Sequence, residues 1–168
     1  ALNFILGFTG QVFLGTVAFF AVGCYSSALL TTKLGLTFWQ AVPPTVLITA
    51  ALAFLLGLPT LKVKGFYLAL MSTGFIVVVG DVLKNWSSLT NGVWGVSGIP
   101  RPELFGRVIE TNVGFYYFSI ALAAILAVLA ILIEDSRFGR AFKVVRDDEL
   151  AGEVVGIDSL KIKLLAFV

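Results

Sequence analysis

Few side chains in this sequence could make or break a covalent bond. Its 168 residues include no histidine, so no imidazole is available as base, proton shuttle or metal ligand. Cys24 is the single cysteine, which excludes an internal disulfide and a thiolate metal cluster. No metal and no cofactor are expected. The run Gly92-Val93-Trp94-Gly95-Val96-Ser97-Gly98 is rich in glycine but lacks the Lys-Ser/Thr of a phosphate loop, and no strand precedes it. It reads as an outer turn, with Trp86 and Trp94 near lipid headgroups. Asp81 and Lys84 have i, i+3 spacing and are expected to form an interfacial pair that reaches water, not an ion pathway. Gly10 and Gln11 interrupt an apolar run. Backbone exposed there needs a protein partner or a water-filled cavity, so lining of a substrate path and plain helix packing both fit.

The elements that position these residues follow from where charge is missing. The chain is 58% hydrophobic and 13% charged, against roughly 25% charged in an ordinary soluble domain. Residues 1–32, 34–61, 65–80 and 111–133 carry no Asp, Glu, Lys or Arg, whereas residues 134–163 hold 13 of the 22 charged residues. Uncharged runs of this length match the roughly 20 apolar residues that a helix needs to cross the hydrocarbon core. We therefore expect an all-α, polytopic helical membrane protein. A net charge of +2, with its basic residues mixed among acids, argues against a nucleic-acid partner.

Five apolar segments are expected. The first, residues 1–31, is broken by Gly7, Thr9, Gly10, Gln11 and Gly15, leaving a helix from about Val12 to Leu30. The others run over 38–58, 66–83 and 113–133, and a fifth starts at Leu164. No strands are expected, because barrel strands alternate apolar and polar residues and these runs are continuous. The Ala123, Ala127 and Ala130 stripe suits close helix packing. Residues 134–163 carry Arg137, Arg140, Lys143, Arg146, Lys161 and Lys163, which places that segment in the cytoplasm. Counting back puts Lys62 and Lys64 inside, with Lys33 and residues 84–112 outside. The chain opens and closes within apolar runs, so we expect one transmembrane domain over 1–168, cut from a longer protein at both ends.

The charged segment reads as two short helices. Ser136 can cap the first, in which Phe138, Ala141, Phe142 and Val145 make one apolar stripe with the basic residues opposite. Asp147 or Asp148 can cap the second, which has Glu149 in its first turn, Leu150, Ala151, Val154 and Val155 on its apolar face, and Gly156 past its end. Asp158 or Ser159 can cap the next helix. An amphipathic connector lying on lipid is one reading. A docking element gripped by a soluble partner is the other, and the acidic block Asp147-Asp148-Glu149 favours it, since lipid-binding faces are basic and poor in acids.

The run Ile133-Glu134-Asp135-Ser136-Arg137-Phe138-Gly139-Arg140-Ala141-Phe142, continued by Arg146-Asp147-Asp148-Glu149-Leu150-Ala151-Gly152-Glu153-Val154-Val155-Gly156-Ile157, resembles the cytoplasmic loop of branched-chain amino-acid ABC importer permeases. Glu149, Ala151 and Gly156 match that family's Glu-Ala-Ala…Gly motif, with Gly152 where an alanine is common. The opening from Leu2 to Gln11, the stretch from Gly57 to Ala69, and Asn85 to Pro102 resemble the family's broken early helix, inner loop and outer loop. Thr16 stands where many relatives carry histidine, Phe66 where an aspartate is common, and Val77 and Gly80 where polar residues often occur.

The resemblance implies a transport subunit without catalytic residues, moving branched-chain or similar apolar amino acids across the plasma (bacterial inner) membrane by alternating access. It implies ATP-binding ABC subunits as partners, a second homologous permease, an extracytoplasmic solute-binding protein and membrane lipid. Arg137, Phe138, Arg140, Phe142, Asp148, Glu149, Ala151 and Gly156 would couple to the ATPase. Gly10, Gln11, Gly15 and Thr16 would line a substrate path. Permeases for urea or short amides are related alternatives, and an ATP-independent secondary transporter is a further one.

Overall fold

Among the described residues, three helices are long and apolar enough to cross a membrane: α2 (Phe38–Thr60, of which Phe38–Gly57 forms the span), α3 (Phe66–Asn85) and α5 (Asn112–Asp135). They occur in a computed structural model that describes residues 13–60, 63, 66–104, 107–148, 152, 154, 156 and 158–167. Before them comes α1 (Thr16–Lys33). A single turn, α4 (Ser87–Thr90), follows α3, and two shorter helices, α6 (Arg137–Asp147) and α7 (Ser159–Phe167), close the order. The protein is a membrane protein of the all-α class, helical throughout its spans. At 24 residues, α5 is about 36 Å long, enough for a hydrocarbon core of roughly 30 Å.

Burial inside the chain is sparse, which fits a fold solvated by lipid. None of α5 is buried, and Val113, Phe115, Ile125, Leu126, Ile131 and Leu132 lie open on its surface. A helix apolar all round with no protein cover belongs in a bilayer. The alanine stripe gains no packing either, since Ala123 and Ala127 are exposed. Periodicity marks a stripe but does not supply a partner for it.

Small residues bring α1 and α2 together. Ala28 on α1, and Ala41 and Ala53 on α2, are buried, and a Cβ on Gly23 would lie 3.6 Å from the Thr49 hydroxyl. Helices in lipid associate through this kind of close approach. Helix α2 starts with half of a capping box: the Thr37 N–H donates to Gln40 Oε1 at 3.2 Å. Pro43 and Pro44 fall inside the helix and remove the donors that Trp39 and Gln40 carbonyls would otherwise meet.

Residues 13–15 are not helical and helix begins at Thr16, a turn later than expected; Gly7, Thr9, Gly10 and Gln11, where the break is expected, lie outside the described residues. Phe13 is buried with Leu68 of α3, and Phe19 and Phe75 pack around them. The Phe13 and Phe19 rings stack at 5.9 Å, and Phe19 meets Phe75 at 5.6 Å. Irregular backbone at this depth needs a polar partner, and Leu14 N–H donates to the buried Ser72 Oγ at 3.0 Å. Ser72 in turn donates to the Ala69 carbonyl. Replacing Ser72 with alanine should orphan the Leu14 N–H and cost about 1–3 kcal/mol. A thermal melt of the detergent-solubilised protein would register the loss, and an unchanged melt would remove this role from Ser72.

One end of the fold is tied by loops. Lys33 Nζ donates to the Ser88 carbonyl at 3.1 Å, and Trp39 Nε1 to the Glu103 carbonyl at 2.7 Å. The ends of α1 and α3 and the start of α2 therefore share one end with residues 86–111. The buried Thr90 hydroxyl donates to the Leu83 carbonyl and accepts from Gly92 N–H. Asn91 (φ 64°) and Gly92 (φ 60°) are left-handed there, so the glycine-rich run makes a tight turn.

Two sequence-based expectations are corrected at this end. A short antiparallel pair forms, β1 (Glu103–Leu104) with β2 (Arg107–Val108), Glu103 opposite Val108. Pro100 and Pro102 hold the preceding backbone extended, and hydropathy is blind to a pair lying between spans. Asp81 and Lys84 are both exposed, and among the described residues no ion pair joins them. In water an i, i+3 attraction is too weak to hold two mobile side chains together.

Candidate functional site

The charged segment is built on a corner between α5 and α6. Ser136 makes it by ending one helix and starting the other. Its N–H donates to the Ile133 carbonyl at 3.1 Å, closing α5, and its side chain accepts from Phe138 N–H at 3.2 Å and Gly139 N–H at 3.4 Å. Those are two of the donors that a helix start leaves unpaired. Thr111 caps the other end of α5 in the same way.

Gly139 sets how tightly the corner closes. A Cβ built on it would lie 2.5 Å from the Glu134 carbonyl carbon and 2.7 Å from its Cα, and closer still to the carbonyl oxygen. Only a residue without a side chain fits against that backbone. Arg140 Nη1 donates to the Asp135 carbonyl at 3.2 Å, and Lys143 pairs with Glu134 at 3.0 Å. Both partners of that pair are partly open, so the pair itself contributes at most about 1 kcal/mol. Sterics and the cap define the corner more than charge does.

Helix α6 packs against α5 and α7, with Phe142 and Val145 buried. Arg137, Arg140 and Arg146 are exposed, as expected of the basic face. Phe138 departs from the expected stripe: it is 57% exposed, against 3% for Phe142. The buried line runs through Gly139, Phe142 and Val145, three residues apart, so the contact face is rotated and Phe138 is left at its open edge.

Beyond α6, Asp148 is extended and its carbonyl accepts from Gly152 N–H at 3.1 Å, a helical bond that starts a second helical stretch. Gly152 is buried, with Val144 Cγ1 3.4 Å from where its Cβ would be. Val154 is helical and 88% exposed. Gly156 forms the turn at φ +83° with nothing within 4 Å of a built Cβ. Alanine there should cost about 1 kcal/mol through backbone conformation alone. Equal melting temperatures for Gly156→Ala and the parent would contradict the left-handed assignment.

Asp158 accepts from Lys161 N–H at 3.1 Å and opens α7, so this helix starts five residues before the apolar run at Leu164. The cap decides where a helix begins; hydropathy reports only the apolar run beyond it. The Lys161 ammonium, 3.0 Å away, and then its N–H hold the Asp158 carboxyl below its usual range. The cap is therefore fully formed above the ordinary carboxylate range, and it is lost as pH falls through the lowered pKa.

Glu149, Ala151, Gly10 and Gln11 lie outside the described residues. Gly15 and Thr16 open α1: Gly15 is buried beneath the Phe13 ring and Thr16 is half-buried. Among the described residues no group of His, Cys, Asp and Glu could hold a metal ion.

Apolar spans that lead into a capped, charged helical corner define a helical membrane protein. The family described as branched-chain amino acid transport system / permease component matches residues 1–168, and the chain belongs to it. It is 36% identical over 189 residues to the high-affinity branched-chain amino acid transport system permease protein LivM of Salmonella typhimurium strain LT2. Identity to the protein of the same name from Escherichia coli strain K12 is 35% over 189 residues. Each alignment covers 99% of this chain and 44% of the relative, so the chain spans less than half the length of these proteins. No solved structure matches it.

Proposed function

We propose that this chain forms part of the membrane subunit of an ATP-driven ABC importer for branched-chain or similar apolar amino acids, working by alternating access in the plasma (bacterial inner) membrane. ATP hydrolysis occurs on separate ABC subunits. A second homologous permease completes the membrane part, and an extracytoplasmic solute-binding protein delivers the solute. Residues 134–163 face the cytoplasm and residues 84–112 the outside. Gly10, Gln11, Gly15 and Thr16 belong to the solute's path.

The observation that carries this reading is the corner at Ser136 and Gly139. A motor outside the membrane must push on something that does not yield. Helix α6 meets the end of α5 through backbone contact at Gly139 and a doubly bonded cap, so displacement of α6 carries α5 with it. The exposed Phe138 and Val154 supply the apolar anchors for an ATPase groove. Arg137, Arg140, Asp148 and Glu149 supply register through charge complementarity. Phe142 holds the lever in place and Gly156 ends it, with Ala151 a further coupling residue.

A secondary transporter would need ionisable groups at membrane depth for ion coupling. Helix α2 has no charged residue, and α5 has none before its last turn. The deciding experiment is uptake into proteoliposomes holding the assembled importer with the solute-binding protein. Leucine should accumulate only with hydrolysable ATP on the ATPase side. Accumulation in vesicles that lack the ATPase subunits would contradict the proposal. Preferential accumulation of urea or a short amide would reassign the substrate.

A further inference from the structure

Between α1 and α5, beside residues 99–102 and Ile109, lies a cleft of about 800 Å³. That is within the usual range of small-molecule sites, about 300–1,000 Å³, which are mostly apolar with a few placed polar groups. Phe20 of α1 and Phe118 and Leu122 of α5 give it apolar walls. The Phe118 ring is held edge-on to Phe38, which also lines the cleft, at 5.8 Å and to Trp39 at 6.3 Å, so the start of α2 braces this wall.

Its polar groups are sorted by character. Arg101 lines the cleft and donates through Nη1 to the Glu110 carbonyl, one residue before the Thr111 cap of α5. The guanidinium therefore sits beside the positive end of that helix. No carboxylate among the described residues pairs with it. Along the walls, Thr31 Oγ1 donates to the Ser27 carbonyl at 2.9 Å and Ser119 Oγ to the Phe115 carbonyl at 2.9 Å. Each hydroxyl has given its proton to its own helix, so toward the cleft it offers acceptor lone pairs only. A cationic end, hydroxyl acceptors and aromatic and aliphatic walls match, part for part, a carboxylate, an ammonium and an aliphatic side chain.

We propose that this cleft is a station for the transported solute, taking an α-amino acid with a branched aliphatic side chain. Its carboxylate lies on Arg101, its ammonium on the Ser119 and Thr31 hydroxyls, and its side chain among Phe20, Phe118 and Leu122. This assignment rests on the importer reading above and adds a place to it.

Cys24 lines the same cleft and is exposed, so the native chain carries its own reporter. The assembled importer in proteoliposomes is treated with a membrane-impermeant maleimide, and modification is read by the mass of the peptide containing Cys24. Leucine at several times its dissociation constant should slow modification about fivefold. Isobutylamine, which lacks the carboxylate, and glycine, which lacks the side chain, should not. Protection should vanish in Arg101→Gln, persist in Arg101→Lys and weaken in Ser119→Ala. The proposal is overturned if leucine leaves the rate unchanged or protects Arg101→Gln as well as the parent. It is also overturned if Cys24 does not react in the bilayer while uptake continues, because lipid or another helix then fills the cleft. ATP-dependent uptake measured on the same vesicles separates the two levels. Intact uptake without protection defeats the cleft alone, whereas absent uptake by the parent protein defeats the importer reading beneath it.

Discussion

Substituting alanine for Gly139 should uncouple the importer while leaving its spans folded. The added Cβ would be driven into the Glu134 backbone, 2.5 Å from the carbonyl carbon and closer to the oxygen, and backbone cannot swing aside as a side-chain tip can. Helix α6 must lift off α5. That movement strains the Ser136 cap, the Arg140 bond to the Asp135 carbonyl and the Lys143–Glu134 pair together. Overpacking of this kind costs about 1–3 kcal/mol and occasionally more, and here it falls on the joint proposed to transmit the motor's stroke. We expect ATP-driven uptake to drop by roughly tenfold or more, equivalent to at least about 1.4 kcal/mol of lost coupling, with ATP hydrolysis continuing. Gly80→Ala is the matched control, since a Cβ there meets nothing within 4 Å. Normal uptake by Gly139→Ala would mean that the corner is not a rigid joint.

The second large effect separates two phenylalanines four residues apart. Phe142 is 3% exposed and Phe138 57%, although both lie on the stripe read from the sequence. Phe142→Ala removes a buried ring and should cost about 3–5 kcal/mol of stability, visible as a lowered melting temperature of the chain by itself. Phe138→Ala should leave that melt nearly unchanged. If Phe138 anchors in an ATPase groove, its loss should weaken the complex by about 2 kcal/mol, or roughly thirtyfold in Kd. Affinity of the ATPase subunit for the detergent-solubilised permease checks this. A Phe138→Ala protein that melts early and binds normally would reverse the two roles.

The parts of this fold legible from sequence are those set by short-range chemistry. Spans 38–58, 66–83 and 113–133 follow from missing charge and reappear as α2, α3 and α5 within a few residues. The Ser136 cap, the left-handed Gly156 and the Asp158 cap are local bonds or single-residue conformations, so a residue type in the right place suffices to foresee them. The features that sequence missed depend on distant partners. Ser72 meets Leu14 across 58 positions, and nothing near either residue announces the bond. The contact face of α6 is rotated from the expected one because periodicity defines a stripe, while the placement of α5 and α7 decides which part of it is covered. The cleft joins Phe20, Arg101 and Phe118, residues from three segments whose meeting is purely tertiary.

Coupling to an ATPase requires that residues 134–163 be gripped by it. The test is co-purification of the ATP-binding subunits with the tagged permease from membranes, comparing the parent with Glu149→Arg and following both by quantitative mass. Glu149 belongs to the acidic block that follows the basic residues of α6 in sequence, so reversing its charge should set like charges across the proposed interface at a cost of several kcal/mol. The parent should retain the ATPase in stoichiometric amount, and Glu149→Arg should lose it while keeping its helical content. Equal recovery of the ATPase with both proteins would contradict the proposal that this segment carries the coupling.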